Sequence, residues 1–188
     1  MMTKTIATFA LAAFALTGIA RAGESTLVFT DDSEFNFKAY KLIGSQEGSF
    51  LLYDGEVKLT DDKIESAKIE GNLEMDSVLT KNKTLTKRLK SSDFFDVEKH
   101  PEGSFKSTSI TKKSGSTYDV KGTLTIKEIE KEVSFPAEIT YKGGLFELEG
   151  SLKVKRQDWK LNYDGLGDNA IKDMVDLDIY IAAEADEK

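Results

Sequence analysis

Cysteine is absent from this 188-residue sequence, and proline, histidine and tryptophan nearly so, at two, one and one residues. Without cysteine there is no disulfide, no thiolate nucleophile and no thiolate metal ligand, and no lipid can be attached to a cysteine at a leader's cleavage point. The single histidine, His100, stands in the turn-like run Lys99-His100-Pro101, and no serine carries the G-x-S-x-G setting of a hydrolase nucleophile. No catalytic residue and no metal ligand is therefore assigned. The acidic pairs Asp31-Asp32, Asp61-Asp62 and Asp164/Asp168 lack calcium-loop spacing and read as solvated turns. A surplus of positive charge is missing too. With 26 basic against 33 acidic residues the net charge is −7, an acidic balance that argues against nucleic acid, which wants a basic face. Prolines are few and no low-complexity tract interrupts the chain, so no linker divides it.

What is present begins with an apolar run. Thr5 to Ala20 is uncharged, follows the basic start Met1–Lys4 and ends in Ala20-Arg21-Ala22. This pattern predicts a cleavable secretory leader over residues 1–22 rather than a membrane span. Residues 23–188 are expected to form one exported domain, periplasmic or extracellular.

From residue 33 onward the dominant period is two, the strand signal. Ala67, Ile69, Gly71, Leu73 and Met75 alternate with Lys68, Glu70, Asn72 and Glu74. The same rhythm runs from Tyr118 to Ile126, Val133 to Tyr141, Phe146 to Val154 and Val175 to Ala183. Further strands are expected near 33–40, 48–59, 103–112 and 156–164, with hairpin turns at Thr60-Asp61-Asp62, Lys113-Ser114-Gly115 and Lys142-Gly143-Gly144. About eight to nine strands, each apolar on one face, close into a barrel or stack as a sandwich; an antiparallel meander favours closure. The rhythm fails between Val78 and Lys90, where Val78, Leu85 and Leu89 suit one face of a short helix.

Three glycines, Gly71, Gly122 and Gly150, sit mid-strand on the inward face. They either hollow the middle of the barrel or let long strands coil tightly. Strands of this length give a barrel roughly 30 Å tall, a tube that suits a long chain better than a compact metabolite. Arg156 continues the inward register of Leu152 and Val154. It either meets a phosphate or other polar head group, or closes the barrel floor against Trp159, bonded to Asp158 or a backbone carbonyl. Ser77–Ser92 holds Lys81, Lys83, Lys87, Arg88 and Lys90 with no acidic residue. That run is either a solvated face or a contact for an anionic head group or anionic lipid.

Taken in order, several segments resemble the YceI-like family of exported bacterial lipocalin-like proteins. They are Gly48-Ser49-Phe50 with Gly55, Asp76-Ser77-Val78, the run Leu89 to Val97 containing Asp93-Phe94-Phe95, His100-Pro101 and Phe105-Lys106-Ser107-Thr108. Gly122 to Lys127, Lys131, Val133 and Arg156-Gln157-Asp158-Trp159 complete the set, which spans nearly all of the chain after the leader. The resemblance implies an all-β fold: an eight-stranded antiparallel lipocalin-like barrel with one short helix inserted near 79–90. It further implies an elongated interior holding a polyisoprenoid lipid, such as a polyprenyl phosphate or a quinone tail, with no other cofactor and no catalysis. The chain departs from the family pattern at Leu85, Thr86 and Arg88, where relatives carry Arg, Asp and His, and at Tyr40, where they carry an early His. Glu128 and Lys160 stand where relatives have glycine.

On this reading the lipid is lined by Leu73, Leu124, Phe135 and Ile139, and by Phe146, Leu148 and Ile179. Gly122 and Gly150 belong to the same lining, and Arg88 or Arg156 meets the polar head. Leucine at Gly122 or Gly150 is expected to fill the cavity and leave the fold intact. Two alternatives stay open: a filled barrel that acts in protein interaction or stress response with no cavity ligand, and a lipid hydrolase or isomerase using Arg156, Asp158 and Tyr141. Membrane contact is expected to be transient at most, and the oligomeric state, monomer or homodimer, is left open.

Overall fold

Alternating side chains give each strand a wet and a dry face, and in the computed structural model, which describes residues 23–162 and 171–186, those faces become the outside and inside of a closed wall. The expected leader and the Asp164/Asp168 pair lie outside the described residues. The first strands are β1 (Glu24–Phe29), β2 (Glu34–Lys41), β3 (Ser45–Phe50), β4 (Tyr53–Thr60), β5 (Lys63–Glu74) and β6 (Val78–Thr80). A helix, α1 (Lys83–Lys90), follows. Then come β7 (Glu102–Ser114), β8 (Thr117–Ile126), β9 (Ile129–Lys142), β10 (Leu145–Lys155) and β11 (Ile171–Glu184). Eight strands form an antiparallel ring, β1-β4-β5-β7-β8-β9-β10-β11, closed by β11 returning to β1. The remaining three, β2, β3 and β6, continue the sheet outward from β11 as a flap.

The hairpins are tight. Asp61 and Asp62, and Lys127 and Glu128, hold paired left-handed conformations (φ 53° and 54°, 51° and 59°) between strands that pair up to the turn, Thr60 with Lys63 and Ile126 with Ile129. Such two-residue turns match the right-handed twist of the strands they join. Glu128 and Lys160 (φ 55°) therefore keep the backbone shape that glycine would adopt without strain.

The expected strand at 48–59 divides at Leu51-Leu52, because the chain there leaves the flap and joins the ring. The expected strand at 156–164 starts instead as a 3-10 turn, Arg156–Trp159. Helix α1 begins at Asn82, whose side-chain oxygen accepts from the backbone N–H of Thr84 and Leu85 at 2.9 and 3.1 Å. It turns Leu89 into the core and leaves Leu85 half-buried.

Closure of the ring depends on little backbone pairing: β1 and β11 share only Val28–Glu184 and Phe29–Ala183. Beyond them β1 leaves and β2 takes its place along β11. The Thr30–Ser33 turn bridges the changeover at Ala182. Thr30 N–H donates to the Ala182 carbonyl at 2.8 Å, and the buried Ser33 hydroxyl both donates to that carbonyl and accepts from the Ala182 N–H, each at 3.1 Å.

The inward glycines do not open empty space. Phe29 lies over the paired Gly55 and Gly71, Phe37 over Gly48, Phe105 over Gly122 and Phe135 over Gly150. A Cβ built on Gly122 would stand 2.5 Å from both the Phe105 ring and the Lys106 carbonyl oxygen. The expectation that leucine here leaves the fold intact is thus corrected: the seat already holds a ring and a strand backbone.

Two outcomes test this architecture. Ser33→Ala leaves the Ala182 N–H unpaired and is expected to cost about 1–3 kcal/mol in urea unfolding; an unchanged midpoint would remove the hydroxyl from the closure. Gly122→Leu is expected to destabilise by roughly 1–3 kcal/mol through overpacking, read as a lowered melting temperature.

Candidate functional site

The two ends of the barrel are built differently. At the end carrying the β4–β5, β7–β8 and β9–β10 turns, Leu27, Val57, Leu59, Val120, Ile139, Phe146 and Ala183 are at most 2% exposed and fill the axis. Toward the other end the inward side chains Phe35, Phe37, Leu124, Val133, Leu177 and Ile179 are only partly buried. They face a cavity of about 210 Å³. Its lining follows β10 from Leu148 to Val154, roughly 20 Å of strand, and reaches from Ile181 to Ile171 on β11. Ile69 and Leu148, each 1% exposed, form its floor.

Aromatic rings make much of this wall. Eight of the nine phenylalanines after residue 22 line the cavity, Phe146 in the packed end being the exception. They form near-continuous contacts: Phe29 to Phe35 at 6.3 Å between centroids, Phe37 to Phe50 at 6.0 Å, Phe50 to Phe95 at 5.9 Å, Phe94 to Phe95 at 5.0 Å and Phe105 to Phe135 at 6.0 Å. The glycine seats explain why the centre stays hollow. A ring seated on a glycine approaches the strand backbone closely, whereas a larger residue there would hold it off toward the axis.

Of the residues expected to line the interior, Leu73, Leu124, Phe135, Leu148 and Ile179 do so. Four do not. Gly122 and Gly150 are covered by the Phe105 and Phe135 rings, and Ile139 and Phe146 pack solidly below the floor. The alternation in the sequence does not mark the seven other lining phenylalanines as lining. Their signal was an aromatic residue beside an inward glycine on a neighbouring strand, visible only once the register is known.

Polar groups gather at the far end from the floor. Arg88 is exposed and Lys41 and Gln46 are half-buried, and all three line the cavity, so it reaches the surface there. Arg156 also lines it and is 3% exposed. Its guanidinium donates to the Leu161 carbonyl at 2.6 Å and to those of Ile171 and Lys172 at 3.4 Å. Beside it Trp159, 2% exposed, donates its indole N–H to the Leu124 carbonyl at 3.3 Å. Of the two roles open to Arg156, the bonds to backbone carbonyls are the ones the structure contains.

Chemically the cavity offers hydrocarbon and ring surface with a cationic rim. No aspartate, glutamate or histidine lines it among the described residues, and no three such side chains gather to hold a metal ion. His100 lies elsewhere, its Nδ1 3.6 Å from a Glu128 carboxylate oxygen. Asp158 is exposed and Tyr141 half-buried, neither lines the cavity, and the Arg156, Asp158 and Tyr141 grouping is not assembled in it.

A closed antiparallel barrel with one packed end and one apolar cavity defines an internal-cavity β-barrel of the lipocalin-like kind. The chain belongs to the YceI-like family, whose domain matches residues 27–183. A UPF0312 protein of Azotobacter vinelandii is 29% identical over 177 residues, covering 87% of this chain and 90% of its own. Among solved structures, Burkholderia cenocepacia BcnA superposes with a TM-score of 0.74 at 22% identity, covering 80% of this chain and 95% of its own. A polyisoprenoid binding domain from Saccharophagus degradans, implicated in plant cell wall breakdown, gives 0.70 at 15% identity, covering 86% and 98%.

The split between packed and hollow halves sets unequal costs for truncation. Phe146→Ala is expected to cost about 3–5 kcal/mol, whereas Ile179→Ala, already facing free space, falls below the roughly 2–5 kcal/mol of a packed isoleucine. Urea unfolding of both variants checks the ranking, and equal losses would argue for a solid interior.

Proposed function

We propose that this protein is a non-catalytic carrier that holds the chain of a polyisoprenoid lipid, of the polyprenyl phosphate or quinone type, in the cavity. The carrying observation is the cavity itself: long, single-ended and walled by phenylalanine and aliphatic side chains, with cationic groups only near its open end. Each CH₂ moved from water into such a wall contributes about 0.8 kcal/mol, so a long hydrocarbon is held without polar contacts. The fold neighbour from Saccharophagus degradans, described as polyisoprenoid-binding, supports the same ligand class. The hollow favours a carrier over an interaction barrel without a cavity ligand. Residues 1–22 support export, so the lipid would be carried in the periplasm or beyond.

The test is native mass spectrometry of mature protein purified from a bacterial periplasm, with organic extraction of anything bound. A co-purified polyprenyl or quinone species is expected. A clean apo mass, unchanged after incubation with such lipids, overturns the carrier reading. Leu124→Trp, which adds bulk into the hollow, is expected to lower lipid occupancy while the melting temperature of the lipid-free protein holds.

A further inference from the structure

The β2–β3 turn carries a pair of side chains that the turn does not need. Leu42 and Ile43 are 78% and 92% exposed, the most exposed large apolar residues described. The turn is already made by Gly44 at φ 82° and by the Lys41 N–H bond to the Gly44 carbonyl at 3.0 Å. Polar residues serve such a tip better, so two adjacent aliphatics in water call for a partner.

The tip stands at the open end of the cavity. Lys41 and Gln46, at its base, line the cavity together with Leu85 and Arg88 of α1. Thr80 pairs with Gly48, which brings the following Lys81 alongside β3. There Lys81 helps hold the Glu47 carboxyl below its usual range, behind the direct ion pair from Lys38.

The helix adds a second, independent sign. Lys83 and Lys87, four residues apart, are exposed and lie on the side of α1 opposite Leu85 and Leu89. Lys87 suits the negative end of the helix, but Lys81 and Lys83 sit at its positive end, where no acidic residue occurs. Helix stability does not explain cations there. Nor does the chain's composition: at net charge −7 the protein as a whole is repelled by an anionic surface, yet Ser77–Ser92 has five basic residues and no acid.

We propose that this end docks on a bilayer rich in anionic lipid, with Leu42 and Ile43 entering the acyl boundary and Lys41, Lys81, Lys83 and Lys87 meeting the head groups. Apolar insertion and attraction to anionic head groups act together at such a contact. Repulsion elsewhere on the acidic barrel turns this end toward the membrane. Among the described residues no helix is long and apolar enough to cross a bilayer. The inference rests on the carrier reading for its purpose, since docking presents the cavity to lipid, but its test is separate.

Mature protein is co-sedimented with vesicles of phosphatidylglycerol and phosphatidylcholine, and with phosphatidylcholine alone, with no isoprenoid added. Binding is expected to the anionic vesicles only, and to weaken as salt is raised. L42D/I43D and K83E/K87E are each expected to lower the bound fraction roughly tenfold or more. All changed side chains are exposed, so the melting temperature stays, and lipid occupancy by native mass spectrometry stays with it. Wild type that ignores anionic vesicles, or a tip variant that binds them equally, overturns docking. Docking without isoprenoid binding would refute the carrier while leaving this contact standing.

Discussion

The hollow interior depends on how the ring changes partners at Ala182. β11 is long enough to face two strands in succession, β1 below and β2 above. A backbone ladder cannot continue through such a changeover, and an open N–H and carbonyl would be left in the wall. The Ser33 hydroxyl supplies the partner for the N–H, and the carbonyl accepts from both that hydroxyl and the Thr30 N–H. An unpaired buried N–H costs about 1–3 kcal/mol, enough to matter where only two residue pairs hold the seam. Once β2 has replaced β1, the wall no longer bends back into a narrow cylinder. It continues through β3 and β6 to α1, and side chains of β3 and α1 join the cavity lining.

The flap is tied to the ring by polar groups on its outer face as well. The Tyr40 hydroxyl of β2 donates to Asp176 of β11 at 2.7 Å, and Lys153 of β10 pairs with the same carboxylate at 2.8 Å. Those bonds, Lys153 first, hold the Asp176 carboxyl below its ordinary range. Tyr40 thus joins strand to strand on the outside rather than facing the cavity.

Much of this was legible in the sequence. Period-two alternation locates β5 and β8 through β11, because each buries one face only, and the loss of that period locates α1. β1 and β6 were not legible: one alternates too briefly and the other has three residues. The 3-10 turn at Arg156 was hidden for another reason. The residues before it read as strand, and the turn is held by carbonyls of Leu161, Ile171 and Lys172, the latter two more than ten positions away. The lining was half legible. Inward register identified Leu73, Leu124 and Ile179, but register alone cannot tell a packed level from a hollow one, which is why Ile139 and Phe146 were placed in the cavity. The glycines were recognised as marking space without the ring that occupies it.

Filling one end and hollowing the other answers a constraint that the composition imposes. With no disulfide the folded state rests on packing, yet every apolar atom facing free space forgoes dispersion contacts. The packed end, with its axis filled to at most 2% exposure, concentrates that stabilisation where the ring closes on β1. The hollow end limits its own deficit by seating Phe29, Phe37, Phe105 and Phe135 against inward glycines, where their rings keep close contact with a neighbouring strand. On the proposed carrier reading, a chain of hydrocarbon entering there would restore contacts to the cavity wall. Ligand binding and completion of the core would then be one event, and occupancy would raise stability in proportion to the logarithm of free ligand over its dissociation constant. Exchange would then be practical, because emptying the cavity would leave the packed end and the seam at Ser33 untouched.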